Sequence, residues 1–231
     1  MIQLQHIRKV FNAGKSNEFV AIEGVNLSID SRKATALKGP SGSGKTTLLS
    51  ILGCMARPTS GRITLKEREI TSLPERFLTD IRRKTFGFMF QQFHLIKGIT
   101  ALENVMIPAY PNGEKHAALK KRAIDLLDRL NLSHKAFAKV EWLSGGEAQR
   151  IAIARALIND PAIIIADEPT AHLDTHLSRE FMEIMRRLKE QGKTLLIASH
   201  DPLVYESDVI DRIIDMRDGK IVFPGAAGDV P

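Results

Sequence analysis

Cysteine is nearly absent: Cys54 is the only one among 231 residues. The chain can therefore form neither an internal disulfide nor a zinc site built on several thiolates, and a reducing compartment fits best. Aromatics are sparse as well, with one tryptophan and two tyrosines, and no basic stretch is interleaved with them as in a base-stacking platform for nucleic acid. No apolar run approaches the ~18 residues of a membrane span, and the stretch Met1 to Lys9 lacks the apolar core of a signal peptide. If the protein works at a membrane, a partner has to cross it.

What is present is the composition of a soluble globular protein, 43% hydrophobic and 26% charged, which excludes disorder, collagen and a disulfide scaffold. The length allows one large domain or two small ones. Lysine and arginine exceed the acids by a net charge of +6. That balance suits an anionic partner, whether nucleotide phosphate, acidic membrane surface or nucleic acid, though the more common reading is simply a Lys/Arg-rich solvated surface.

Apolar residues recur at helical spacing at Leu119, Ala123, Leu126, Leu127 and Leu130, and again at Leu177, Phe181, Ile184, Met185 and Leu188, which predicts two amphipathic helices. Short β-rich runs at Ala34 to Leu37, Ala162 to Ala166 and Thr194 to Ala198 predict buried, mostly parallel strands. Arg212 to Arg217 and Lys220 to Phe223 flank Asp218-Gly219, a pair that favours a tight hairpin and adds an antiparallel edge. Residues 91–159 read as helix-like throughout, hence as a helical subdomain inserted between 1–90 and 160–231 of an α/β core. The tail Pro224 to Pro231 is small and Pro/Gly-rich, and is expected to be loosely held.

Gly39-Pro-Ser-Gly-Ser-Gly-Lys-Thr46 satisfies G-x-x-x-x-G-K-[ST] between a predicted strand and an apolar helix opening near Lys45. The bare pattern arises by chance in roughly one chain of this length in a hundred, and the strand–loop–helix context makes it more specific. Its glycines let backbone N–H groups turn inward around a phosphate, Lys45 neutralises β/γ oxygens, and the Thr46 hydroxyl can ligate Mg²⁺. The binding candidates are Gly39, Ser41, Gly42, Ser43, Gly44, Lys45, Thr46 and Thr47.

A buried strand ends in paired carboxylates at Asp167-Glu168. Beside a phosphate loop, Asp167 is placed to hold the metal shell and Glu168 to orient or deprotonate the attacking water. Leu143-Ser-Gly-Gly-Glu-Ala-Gln-Arg150 opens another apolar helix. Its Ser-Gly-Gly reads as an N-cap with exposed backbone donors, a second anion site or simply a capped helix.

The run Leu143 to Arg150 resembles the signature of ATP-binding-cassette (ABC) ATPases. Its companions stand in that family's order: the phosphate loop, a Phe90-Gln91 loop, the signature, the Asp167-Glu168 strand, an Ala171-His-Leu-Asp174 loop and an Ala198-Ser-His200-Asp switch. The resemblance covers nearly the whole chain and implies a P-loop NTPase fold that binds and hydrolyses ATP with Mg²⁺. It further implies a homodimer meeting head to tail, so that Ser144, Gly145 and Gly146 of one subunit close on the phosphate held by Lys45 of the other. Asp174 would belong with Ser144, Gly145 and Gly146 to the nucleotide-binding set, Gln91 would touch Mg²⁺ and sense nucleotide, His200 would contact the γ-phosphate, and Phe11 would stack on adenine where relatives often carry Tyr. From the residues alone, Gln91 could merely satisfy a loop, Phe11 could be core, and His172 in the Asp174 loop could tune dimer contacts or do nothing.

Within the family, Pro58-Thr-Ser-Gly61 and Phe86 to Val105 are similar to ATPases of lipoprotein-release and macrolide-export type transporters. Lys97 and Trp142 depart from that pattern, in the part of the chain expected to meet the membrane partner. The resemblance implies a permease with few spans and a large extracytoplasmic domain, a peripheral location at the cytoplasmic face of the inner membrane, and no nucleic-acid partner. One alternative is a soluble ABC ATPase acting on nucleic acid or ribosomes, for which the basic runs Arg82-Arg-Lys84 and Lys120-Lys-Arg122 speak. Another is a P-loop small-molecule kinase, which would have no use for the signature.

Overall fold

The computed structural model describes residues 1–171 and 173–222, so His172 and the tail from Phe223 lie outside the described residues. Five strands run parallel. The β-branched and small residues of β3 (Ala34–Lys38), β7 (Ile163–Asp167) and β8 (Thr194–Ala198) are buried on both faces, as parallel strands covered by helices must be. With β6 (Phe86–Met89), β9 (Arg212–Arg217) and β10 (Lys220–Val222) they form a sheet in the order β10-β9-β3-β8-β7-β6. Only β10 is antiparallel, closing the hairpin at Asp218-Gly219.

A second sheet had not been singled out from the sequence. The antiparallel strands β1 (Ile2–Phe11), β2 (Phe19–Ile29), β4 (Ser60–Leu65) and β5 (Arg68–Glu69) pair in the order β2-β1-β4-β5. Between the two sheets lies one core, where α1 (Lys45–Leu52) buries Leu48, Leu49, Ile51 and Leu52 beside Ile2, Ile7, Ile22 and Leu37. On the other face of the parallel sheet, α6 (Thr175–Glu190) packs Phe181, Met185 and Leu188 against Leu195 and Ile197. The helix α2 (Glu75–Thr85) precedes β6, and α7 (Pro202–Tyr205) follows β8.

Among the described residues no strand lies between Met89 and Ile163. The segment holds α3 (Ala101–Met106), α4 (His116–Arg129), α5 (Gly145–Leu157) and three short 3-10 helices, with a third core of Leu102, Val105, Leu119, Leu127 and Ile151. The expectation that it is helix-like throughout is corrected at its start. Residues 90–100 form an irregular loop in which Phe93 and His94 both take left-handed backbone angles, φ 55° and 46°.

The parallel register sets up the site. Ala198 pairs with Leu37 on one side and Asp167 on the other, and Met89 pairs with Ala166. The chain therefore leaves β3, β8, β7 and β6 at one edge as Gly39, Ser199-His200, Glu168 and Phe90-Gln91. The carboxyl ends of parallel strands are where ligands of α/β sheets gather.

Candidate nucleotide site

The phosphate loop is shaped by close backbone approach. A Cβ on Gly39 would stand 2.3 Å from the Met216 carbonyl oxygen, and one on Gly44, whose φ is 99°, would stand 2.7 Å from the Ala21 carbonyl. Only glycine fits at either position. The loop is further pinned by the Gly219 N–H, which donates to the Ser43 carbonyl at 3.1 Å. Ser41, Gly42 and Thr46 are exposed, Thr47 is partly so, and the buried Ser43 hydroxyl makes no hydrogen bond.

Lys45, 6% exposed, commits all three protons of its ammonium group. Two go to the loop's own carbonyls, Gly39 at 2.8 Å and Pro40 at 3.1 Å, and the third faces Glu168 Oε1 at 3.2 Å. The other carboxylate oxygen of Glu168 accepts from the His200 backbone N–H at 3.3 Å and lies 2.9 Å from His200 Nδ1. Glu168 itself sits at φ 46° just before Pro169, a left-handed conformation that costs a non-glycine residue roughly 1–3 kcal/mol and marks functional positions. Its N–H is held by the Ala198 carbonyl at 2.9 Å.

Next to it, the Thr46 hydroxyl donates to Asp167 Oδ1 at 3.1 Å. Burial pushes the Asp167 carboxyl above the ordinary aspartate range; the Thr46 hydrogen bond and Lys45 pull it back, and the Glu168 charge adds to the rise. Among the described residues no three of His, Cys, Asp and Glu converge as a metal cage. Two adjacent hard oxygens, one on a carboxylate that burial disfavours as a bare anion, fit a Mg²⁺ that takes its remaining ligands from phosphate and water. The orphaned Ser43 hydroxyl and the glycine cradle fit a polyphosphate in the same way. A cleft of about 440 Å³ opens beside the loop, lined by Lys38, Gly39, Pro40, His200, Tyr205 and Met216 among others.

Not all the candidate residues converge. Phe11 is 43% exposed at the end of β1, opposite Phe19 in register, with the Lys9 ammonium 5.1 Å above its ring; the alternative that it belongs to the core is excluded. Gln91 is exposed on a turn closed by the Phe93 N–H to the Phe90 carbonyl at 2.9 Å, with no hydrogen bond to Thr46, Asp167 or Glu168. Ser144 caps α5: its hydroxyl accepts from the Glu147 N–H at 3.3 Å while Glu147 Oε2 accepts from the Ser144 N–H at 2.8 Å, a reciprocal capping box. Gly145 faces open space, and a Cβ on Gly146 would stand 2.6 Å from Leu177 Cδ2. None of the three bonds to the phosphate loop of its own chain. Asp174 caps α6 by accepting from the Leu177 N–H at 2.8 Å.

The structure adds supporting residues that had not been singled out. Gln149 is buried in α5 and donates to the Pro169 carbonyl at 3.0 Å, and the Thr170 hydroxyl donates to Asp201 Oδ2 at 3.2 Å. Together they brace the backbone that follows Glu168 and tie it to the residue after His200. Gln149 was detectable as an amide in register with Ile153 and Ala156 on the buried face of α5. Arg155 donates to the carbonyls of Phe93 and His94, and nothing in the sequence pattern announces it.

Residues 22–171 match the family model described as ABC transporter. YvrO of Bacillus subtilis, described as an uncharacterized ABC transporter ATP-binding protein, is 41% identical over 96% of both chains. The macrolide export ATP-binding/permease protein MacB of Pectobacterium atrosepticum is also 41% identical over 96% of this chain, which spans only 34% of MacB. A dimeric structure of the bacterial ABC transporter cassette MJ0796 superposes with a TM-score of 0.87 at 39% identity over 96% of both chains. A second dimeric MJ0796 structure, a post-hydrolysis state bound to ADP and Pi, gives the same TM-score at 38% identity. The chain belongs to the ABC transporter family, as an ATP-binding, ATP-hydrolysing cassette.

Proposed function

We propose that this cassette closes head to tail on two Mg·ATP as a homodimer and drives a membrane-spanning partner of the macrolide-export or lipoprotein-release type. One observation carries the chemistry: Lys45, Glu168 and His200 share a single hydrogen-bonded cluster beside the Thr46–Asp167 pair. Phosphate oxygens arriving in the loop compete with Glu168 for Lys45. Glu168 Oε1 is then released from the ammonium while Oε2 stays anchored on His200. The freed oxygen accepts a proton from the attacking water as its oxygen bonds to the γ-phosphorus and the bond to the ADP oxygen breaks. His200, next to Glu168 and 65% exposed, reaches the γ-phosphate, and Phe11 offers its ring to adenine. Thr46 and Asp167 would hold Mg²⁺, with Gln91 as a further ligand, and the ion when bound would neutralise the β/γ oxygens.

The signature segment makes no bond to this cluster within its own chain. Ser144 and Gly145 are exposed at the start of a 13-residue helix, where N–H groups and the helix dipole favour an anion; the phosphate they meet is the one on the partner's Lys45. MacB, which joins such a cassette to a permease, supports the membrane partner; among the described residues no helix is long and apolar enough to cross a membrane. We place the cassette at the cytoplasmic face, under a permease with few spans and a large extracytoplasmic domain. The nucleic-acid alternative gains nothing from the comparisons, and three arginines of its two basic runs are committed elsewhere: Arg82 bonds the Cys54 carbonyl and pairs with Glu75, Arg83 bonds the Pro111 carbonyl and Asp80, and Arg122 pairs with Glu114.

The test is tagged Glu168→Gln protein. With ATP and Mg²⁺ it should sediment and scatter light as a dimer, and from detergent-solubilised native membranes it should retain a protein with few spans and a large extracytoplasmic domain. A persistent monomer with saturating ATP contradicts the closure, and a preparation carrying nucleic acid or ribosomes contradicts the membrane role.

A further inference from the structure

The loop that carries Gln91 is held from two helices. Asn104 of α3, fully buried, holds its far half: its Oδ1 accepts from the Ile96 N–H at 2.7 Å and its Nδ2 donates to the carbonyls of Ile96 and Thr100. Arg155 of α5 holds the near half, donating from Nη1 to the His94 carbonyl at 2.6 Å and from Nη2 to the Phe93 carbonyl. Phe93 is also the residue whose N–H closes the turn containing Gln91 and Gln92. One guanidinium thus grips the turn at its closing residue.

Two features make this more than a packing contact. Phe93 and His94 are consecutive non-glycine residues in the left-handed region, each unfavourable by roughly 1–2 kcal/mol, and that conformation brings both carbonyls onto the one guanidinium. Arg155 itself is partly buried, and that desolvation lowers its pKa from the ordinary arginine value, yet among the described residues no carboxylate pairs with it. A partly desolvated cation whose fork is matched by two carbonyls loses both contacts if either side moves, so loop and side chain fix each other.

The helix that carries Arg155 begins at Ser144, eleven residues and about 16 Å earlier along the axis. We propose that Arg155 is a positioning residue for hydrolysis: it ties the Gln91 turn to the signature helix, so that Gln91 takes its working place only when that helix is in register. The proposal rests on the role assigned above to Gln91.

The experiment is a double-mutant cycle on the full chain, with steady-state ATP hydrolysis measured for Arg155→Met, Gln91→Ala and the pair. Losing a charged two-pronged contact should lower kcat of Arg155→Met by about 10- to 100-fold, with KM for ATP within about twofold because no phosphate-loop contact changes. In the Gln91→Ala background the same substitution should cost nothing further. Arg155→Lys keeps the charge but not the fork, should fall between, and serves if Arg155→Met does not fold. Equal losses in both backgrounds, a loss confined to KM, or no loss overturns the proposal. Full kcat in Gln91→Ala alone overturns the Gln91 assignment first, and the proposal with it.

Discussion

The two anion-binding ends of this cassette are built differently. At the carboxyl edge of the parallel sheet, Lys45, Glu168, His200, Thr46 and Asp167 find partners within one chain, so that end is self-contained without nucleotide. At the start of α5, Ser144 is spent on its own helix cap and Gly145 faces open space, and on the proposed reading that end is completed by the partner's phosphate. On the proposed closure, the difference puts chemistry in the core and control in the meeting of subunits. It also explains why a pair of carboxylates and a Gly-rich helix start, each unremarkable alone, make one machine.

The largest effect should come from the self-contained end. Glu168→Gln keeps the hydrogen bond to His200 but cannot take the proton from water, so phosphate release should fall by about 10²–10⁴-fold while ATP binding, read by equilibrium dialysis, persists. Next in size, Lys45→Ala removes the charged partner of both phosphate and Glu168; ATP affinity should fall by about a hundredfold, measured by nucleotide titration.

The signature end gives a sharper contrast. Ser144→Ala loses the cap, worth about 0.5–2 kcal/mol, and the thermal midpoint should drop by a few degrees. Ser144→Asp caps equally well and should restore the midpoint, yet its carboxylate faces the partner's phosphate, so ATP-driven dimerisation should stay lost by light scattering. If Ser144→Asp dimerises like wild type, the signature is a cap and nothing more.

Asp167 gives a smaller effect whose sign is fixed by its burial. Its folded pKa is raised, so the folded state holds the proton more tightly than the unfolded chain does. Stability is favoured below the ordinary aspartate range and lost as pH rises from about 4 through the raised folded value. Asp167→Asn should therefore flatten that decline and raise the nucleotide-free midpoint at pH 7 by about 1–3 °C, while weakening Mg·ATP binding. A midpoint that falls at pH 7 contradicts the assignment. Smallest of all, Phe11→Ala should weaken ATP binding only about 2- to 10-fold and leave the midpoint unchanged, because the ring is exposed.

Legibility in the sequence followed the same division. The phosphate loop, the Asp167-Glu168 strand and the order of motifs could be read because each combines a residue type with a spacing that chemistry demands, and the buried strands because runs such as Ile163-Ile-Ile-Ala resist any other reading. The antiparallel sheet escaped because β1 shifts register against β2 between Leu4 and Ile7, between Ile7 and Lys9, and between Lys9 and Val10, with His6 at φ 50°; the alternation that reveals a strand is broken there. Residues 91–100 read as helix-like because their course depends on Arg155 and Asn104, which are distant in sequence. Polar residues inside a helix pattern carry no local sign of which carbonyl they serve.

The most direct test of the account is complementation between two inactive proteins, Lys45→Ala and Ser144→Asp. Head-to-tail closure gives their mixed dimer one site with both defects and one site with wild-type Lys45 from one chain and wild-type Ser144 from the other. Mixing the two should therefore restore ATP hydrolysis well above either parent. A mixture no more active than its components would mean that each site is built within a single chain, and the account would fail.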